Sequence, residues 1–328
     1  MERYTASIRA VASYVPKRTM TNRDLEKTLD TSHEWIYERT GIAARHIAAE
    51  DEPASALGVR AVRDLMAKHP IAPEDIDLII VPTSTPDMVF PATACIVQAA
   101  IGARNAATFD LSAACTGYIY ALNTAATFIE SGFYRNVLVV ATEKYSSILD
   151  WTDRTTAVLF GDGASATLLT RSSDASGILA MDSGTDGGKC EQLYIPAGGS
   201  RSPVTKETVE KKLSTVHMKG TEVFKNAVPR FRQTIERVLA AAKCSIDDIA
   251  LIIPHQANVR IINAVAKDMK VPQEKFFSNI EHYANTSSAS IGIAIVDALA
   301  QGKIKKNDLV LLTAFGAGYS WGSTLVRW

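Results

Sequence analysis

Three side chains stand out as candidates for chemistry. Cys115 lies in DLSAACTGYIYAL, with Ser112, Ala113 and Ala114 before it and Thr116 and Gly117 after it. Small neighbours let a substrate approach the sulphur. The run TGYIYALNTAATFIES that follows puts Ile119, Leu122, Ala126 and Ile129 on one stripe, the spacing of a helix with a buried face. A cysteine at the mouth of such a helix meets unpaired N–H groups and the positive end of the macrodipole, both of which favour a thiolate. The N–H groups of Ala114 and Gly117 remain available to an oxyanion. A buried structural cysteine is the plainer alternative.

A thiolate nucleophile needs a base or a charge partner. Of the six histidines, His33, His46, His69, His217 and His282 sit in polar or loop-like stretches and read as solvated. His255 differs, because it follows the buried-strand run LIIP and opens HQAN. The C-terminal end of a strand is where open α/β sheets place their ligands. A core histidine satisfied by hydrogen bonds would look the same. Asn285, in HYANTSSAS ahead of the helical IGIAIVDALAQ, is the third candidate, with a cap or Asx-turn as its bland role. Gly316 and Gly318 of FGAGYSWG follow the strand DLVLLTA and permit close backbone approach, for an oxyanion donor or for a simple turn.

The elements that must hold these residues alternate along the chain. DLIIVPTS (77–84), NVLVVAT (136–142), ALIIPHQ (250–256) and DLVLLTAF (308–315) are β-branched or Leu-rich runs that read as strands buried on both faces. Amphipathic helical patterns separate them, which predicts α/β layers. DIDLII from Asp75 recurs as DIALII from Asp248, and RNVLVV around Asn136 recurs as KNDLVLL around Asp308, at offsets of 173 and 172. A shared offset in a shared order predicts a duplicated α/β unit, with halves 1–173 and 174–328 meeting in RSSDASG. Adding 173 to Cys115 lands on Ser288, so the two helix entrances are expected to be pseudo-equivalent and to converge on one site. FGDGASA (160–166) fits the dinucleotide pattern G-x-G-x-x-A, but that motif needs a helix after it. The following ATLLT reads as a strand, so a tight hairpin between TAVLF and ATLLT is expected instead.

The chain has 328 residues, 47% hydrophobic and 21% charged, enough for about two domains of ordinary globular composition. Lys+Arg and Asp+Glu balance at 35 each, which argues against a general nucleic-acid partner. The opening MERYTASIRAVASYVP lacks the long apolar core of a signal peptide, and no run has the length of a membrane span. The four cysteines form no CxxC pair and no Cys/His cluster with zinc-like spacing, so free thiols in the cytoplasm and no metal are expected.

Together, Cys115 in SAACTGY, His255 in PHQAN, Asn285 in YANTSSAS and the FGAGYSWGS loop resemble the β-ketoacyl-acyl-carrier-protein synthase III family. The resemblance runs almost end to end and includes TSHEWIYERTGI, TDRTTAVLFGDGA and MKGTEVFKNAV. The order Cys, His, Asn separates this branch from elongating synthases with two histidines and from a related synthase that pairs Cys and His with Glu. The resemblance implies a thiolase fold with two halves in five layers (αβαβα), a homodimer, and an acyltransferase that needs no cofactor because acyl-CoA is its substrate. It implies that Cys115 takes the acyl group. Malonyl-acyl-carrier protein then loses CO₂ and condenses with it, while His255 and Asn285 donate to the enolate. Backbone N–H groups of Cys115 and Ala317 match the other oxyanion site, although the family position of Ala317 is often Gly.

The same resemblance assigns Trp35 and Arg154 to an adenine sandwich and Thr31 and Arg39 to the nucleotide and its phosphates. It assigns Phe224, Ala257 and Asn258 to the pantetheine tunnel. Phe90 matches a residue that reaches the partner subunit's acyl pocket, and Lys225 a docking position for the carrier protein. Arg260 and Lys267, seven apart on one predicted helix face, would add to that docking patch, with a plain solvated helix face as the alternative. A thiolase-fold acyltransferase or a priming synthase of secondary metabolism is the rival enzyme reading. A non-enzymatic binding module is the third, and an intact Cys–His–Asn set speaks against it.

Overall fold

The computed structural model describes residues 4–328. The chain enters with strand β1 (Ala6–Tyr14), then the paired β2 (Arg18–Thr21) and β3 (Ala44–Ile47), which enclose α1 (Asn22–Leu25) and α2 (His33–Thr40). Helix α2 starts where the Ser32 hydroxyl accepts from the Trp35 N–H at 3.0 Å, and it stops at Gly41, in the left-handed region at φ 77. Helix α3 (Ala54–Lys68), β4 (Leu78–Pro82), α4 (Thr93–Ile101), β5 (Ala107–Leu111), α5 (Gly117–Glu130), β6 (Asn136–Lys144), α6 (Arg154–Ala157) and β7 (Asp162–Arg171) follow. The first sheet has the order β1-β7-β6-β4-β5, with β4 parallel to both β5 and β6.

Strand β8 (Gly177–Thr185) opens the second sheet, ordered β11-β12-β13-β8. Between β8 and β11 lie the short pair β9 (Leu193–Tyr194) and β10 (His217–Met218), with α7 (Lys206–Glu210) between them and the long α8 (Gly220–Ala242) after them. Then come β11 (Leu251–Pro254), α9 (Val259–Met269), α10 (Ile280–Tyr283), α11 (Ser290–Ala300), β12 (Leu309–Gly316) and β13 (Ser320–Arg327).

The two-residue period of the strands builds the layers. Leu78, Ile80, Val137 and Val139 face inward onto α5 and α11, whose Ile119, Leu122, Ile293 and Ile295 are fully buried or nearly so. Ile79, Val81, Leu138 and Val140 face outward onto Leu57, Val62 and Leu65 of α3 and Val97 of α4. The second sheet repeats the plan. Leu251, Ile253, Val310 and Leu312 point to the same inner helices, while Ile252, Leu311 and Leu325 meet Phe231, Ile235 and Val265 of α8 and α9. The result is helices, sheet, helices, sheet, helices: the expected five layers. An inner-layer Ile→Ala would cost about 2–5 kcal/mol, because packing on both sides resists collapse of the cavity.

Two expectations meet different fates. The pseudo-equivalent helix entrances are present: a 3-10 turn Ala114–Thr116 leads into α5, and a 3-10 turn Ser287–Ala289 leads into α11, at the offset of 173. Ala114 and Ser287 both lie in the left-handed region, at φ 46 and φ 48. The hairpin around FGDGASA is absent. The Asp153 carboxylate accepts from the Thr155 N–H at 2.9 Å and caps α6, which turns TAVLF into a helix end rather than a strand. Gly161 serves close packing there, since a Cβ would stand 2.9 Å from the Tyr283 carbonyl oxygen.

Candidate active site

Cys115 is 4% exposed and lines an enclosed chamber of about 130 Å³. Its turn is fastened at the next residue, where Thr116 Oγ1 donates to the Ala113 carbonyl at 2.6 Å and meets Ser320 Oγ of β13 at 2.6 Å. From the other half, Ser287 Oγ donates to Cys115 Sγ at 3.6 Å. Burial pushes the thiol up to about 12; the Ser287 hydroxyl opposes this and the charge of Glu143 adds to it. The expected resting thiolate is therefore replaced by a thiol. Desolvation of the charged form outweighs what a helix N-terminus supplies.

His255 extends β11, its N–H donating to the Thr313 carbonyl at 2.8 Å. Its Nδ1 lies 2.7 Å from Ser290 Oγ, which also accepts from the Gln256 N–H at 3.3 Å. The Ser290 hydrogen has Nδ1 as its acceptor among the described residues, so the ring proton resides on Nε2. Nε2 is buried without a protein partner, and the ring lines the Cys115 chamber. Burial lowers the ring to about 3, which keeps it neutral. The site thus presents an uncharged N–H donor.

Asn285 is held at both ends of its peptide, its N–H donating to the Leu159 carbonyl at 2.9 Å and its carbonyl accepting from the Gly161 N–H at 3.0 Å. Its Oδ1 accepts from the Ser287 N–H at 2.8 Å. That bond settles the amide orientation and leaves Nδ2 as the group with free donors. Ala317, in the turn between β12 and β13, lines the same chamber. Gly316 beside it must be glycine, because a Cβ would stand 2.9 Å from Cys115 Cβ and 3.0 Å from Cys115 N. The turn's backbone therefore lies directly against Cys115.

A wider cleft of about 660 Å³ reaches the chamber from the surface, and Leu159, Met218, Gly220, Phe224 and Asn258 line both. Its outer wall carries Trp35, Arg39, Arg154, Lys225 and Arg260. Ala257 lines the chamber, and Asn258 caps α9 by accepting from the Arg260 N–H at 2.8 Å. Arg39 and Arg154 both stack on Trp35, with Cζ at 4.5 Å and 5.2 Å from the ring centroid. A base between Trp35 and Arg154 needs about 7 Å, two contacts of ~3.5 Å. Arg154, which donates to the Asp30 carbonyl at 2.7 Å, must swing out to admit one.

Two family models match the chain, both described as 3-oxoacyl-[acyl-carrier-protein] synthase III, over residues 109–187 and, for the C-terminal part, 239–328. The β-ketoacyl-[acyl-carrier-protein] synthase III of Caldanaerobacter subterraneus is 49% identical over 327 residues, 100% of this chain and 99% of that one. The chain belongs to the β-ketoacyl-[acyl-carrier-protein] synthase III family. Members of this family are acyltransferases that carry out the initiating condensation of fatty acid synthesis, and this chain is one of them. The crystal structure of 3-oxoacyl-[acyl-carrier-protein] synthase III from Aquifex aeolicus superposes with a TM-score of 0.91 at 45% identity, covering 98% of this chain and 100% of that one. The priming β-ketosynthase of the R1128 polyketide pathway is similar at 34% identity and a TM-score of 0.89, covering 99% and 97%.

Within this family frame, the structure brings Cys115, His255, Asn285, Ala317, Phe224, Ala257 and Asn258 to one chamber, and Trp35, Arg39, Arg154, Lys225 and Arg260 to its entrance. Thr31, with Oγ1 buried and unpartnered, precedes α2 but does not line the cleft. Lys267 is exposed on α9 away from the mouth, and Phe90, 83% exposed, stands outside the chamber. Sequence reading passed over Ser287 and Ser290, which touch the thiol and the imidazole. It also passed over Tyr145, whose ring lines the chamber and stacks on Phe160 at 4.6 Å. It missed Glu143 as well, although a carboxylate ending the apolar strand NVLVVAT was a visible signal.

Proposed function

We propose that Cys115, His255 and Asn285 carry the condensation between them, with a short acyl-CoA as primer and malonyl-acyl-carrier protein as extender. The observation that carries this is the donor pair: a neutral Nε2–H on His255 and a free Nδ2 on Asn285, both on the chamber of a buried thiol. In the first half-reaction Cys115 Sγ bonds the acyl carbon, the carbon–sulphur bond to CoA breaks, and the thiol proton ends on the CoA sulphur. The N–H groups of Cys115 and Ala317 receive the oxyanion. In the second, malonyl thioester loses CO₂ and the enolate oxygen gains its charge between His255 and Asn285. Two donors aimed where charge develops are worth about 3–4 kcal/mol each. The carbanion then bonds the acyl carbon as the bond to Cys115 Sγ breaks, and the thiolate so released regains a proton from solvent.

The cleft supports the rest of the reading. Trp35 with Arg154, once moved, would hold the adenine, and Arg39 and Thr31 the nucleotide end. Lys225, Arg260 and Lys267 would meet the acidic carrier protein. We take the halves to part at residues 173 and 174 and the enzyme to work as a cytoplasmic homodimer. The open end of the first sheet at β5 and the exposed run Met88–Phe90 suit a partner subunit whose acyl pocket Phe90 enters. No helix among the described residues is long and apolar enough to cross a membrane.

Intact-protein mass spectrometry after incubation with acetyl-CoA tests the nucleophile. One added acetyl group on the wild type and none on Cys115→Ser is the expected result. An adduct that survives Cys115→Ser would overturn the assignment. An adduct with only longer or branched acyl-CoA would keep the mechanism and replace the primer.

A further inference from the structure

Behind the chamber lies a carboxylate that the mechanism above does not use. Glu143 is the penultimate residue of β6 and is completely buried. Its Oε2 accepts from the Ser84 N–H and from Thr85 Oγ1, each at 3.0 Å, and its Oε1 lies 2.7 Å from Ser288 Oγ. Among the described residues no basic side chain forms an ion pair with it. A buried carboxylate with no cation is costly when charged.

Ser288 decides which form fits. Its one hydroxyl hydrogen has two acceptors in reach, the Pro82 carbonyl at 3.1 Å and Glu143 Oε1. With an ionised Glu143, only one of them can be served. With a neutral acid, the Glu143 O–H donates to Ser288 Oγ, Ser288 donates to Pro82, and every group has a partner. Ser288 sits in the same 3-10 turn as Ser287, whose hydroxyl touches Cys115 and whose N–H orients the Asn285 amide.

We propose that Glu143 is a positioning residue of the condensation step, a neutral carboxylic acid that pins Ser288 and so holds Asn285 and Ser287 in register with Cys115. Resting on the roles assigned to Cys115 and Asn285 above, it adds a link between the halves that neither role requires. Burial places its titration at about 7, so the acid form is the main one just below neutrality. The titratable groups facing it are Cys115 and Tyr145, both held protonated by burial. Lys144 points away and donates to the Ala49 carbonyl at 2.7 Å. Above neutrality an ionised Glu143 loosens Ser288 and sets a negative charge near Cys115.

The test measures the two half-reactions apart, acetyl transfer to Cys115 and condensation of the acetylated enzyme with malonyl-carrier protein. Glu143→Ala and Ser288→Ala are expected to slow condensation by about 100-fold and acetyl transfer far less. Glu143→Gln, neutral and still a donor to Ser288, is expected to recover most of that loss. Its condensation rate relative to wild type should rise about tenfold between about pH 6 and about pH 8, because only the wild type ionises. Equal loss in both half-reactions, a glutamine as poor as alanine, or a ratio that does not move with pH would each overturn the inference. Should Glu143→Ala not fold, Ser288→Ala and the pH ratio of Glu143→Gln decide it. A wild type that takes no acetyl group at Cys115 would instead overturn the underlying assignment.

Discussion

At Ala114 and again at Ser287 the backbone takes the same left-handed step into a 3-10 turn and then into an inner-layer helix. The strand ends nearby match too, since Pro82, the last residue of β4, and His255, the first after β11, stand 173 apart. Contacts cross between the copies. Cys115 at the first entrance shares its chamber with His255 of the second half, and Ser288 at the second entrance donates to the Pro82 carbonyl of the first. One crossing is the proposed reactive centre and the other is a structural hydrogen bond. The first entrance keeps small apolar neighbours and opens on a cavity, while the second spends its hydroxyls on hydrogen bonds that hold the first in place. The turn geometry is common to both; burial and partners differ, and only the first carries a thiol on the chamber.

The sharpest way to break this contrast is to move the thiol. Cys115→Ser should lower condensation by about 10⁴-fold or more, the scale seen when a nucleophile is removed. Adding Ser288→Cys on that background should restore nothing and take no acetyl group by mass spectrometry, because Ser288 is 1% exposed and does not line the chamber. Acylation at residue 288 would show the two entrances to be interchangeable.

The next test separates the donors from the nucleophile. Asn285→Ala should reduce kcat for condensation by about 10²- to 10³-fold and leave the acetyl adduct in place. A smaller change comes from the close approach at Gly316. The methyl of Gly316→Ala would collide with Cys115, costing about 1–3 kcal/mol of stability, read as a lower urea midpoint together with slower acetyl transfer.

Stability against pH compares the halves from a different side. His255 is held near 3 and would sit near 6.5 when unfolded, so below about pH 6.5 the unfolded chain binds a proton that the native one refuses. Stability from this group falls as pH drops, by at most about 1.4 kcal/mol per unit. Glu143, raised to about 7 from 4.5, acts in the opposite direction, binding its proton more tightly when folded, so its contribution is lost as pH rises between about 4.5 and 7. Urea midpoints of His255→Asn and Glu143→Gln against wild type should therefore diverge on opposite sides, the first gaining in acid and the second above neutrality. Smallest of all, Trp35→Ala should raise KM for acyl-CoA about fivefold, near the low end of base–aromatic stacking, with kcat little changed.

What could be read from the chain alone follows from how local each cause is. Strands covered on both faces need unbroken apolar runs, so LIIVP and LVLLTAFG announce β4 and β12 without help from elsewhere. The offset of 173 survived because each half must make the same turns. The protonation of Cys115 was not legible, because its burial comes from residues up to two hundred positions away, among them His255, Ser287 and Gly316. Nor was the His255 tautomer, which Ser290 decides. The FGDG stretch misled because its glycines admit packing partners, whereas a glycine pair in a sequence looks like a turn.

The contact of Gly316 with Cys115 also bears on how the protein is made. A ribosome delivers residue 115 long before residues 255, 285 and 316, and early segments fold as they emerge. The cysteine is thus present in the nascent chain without His255, Asn285 or the turn that packs against it, and contacts of such sequence separation form late. On the roles proposed above, an unfinished chain therefore carries Cys115 as a thiol without the groups that would make it reactive.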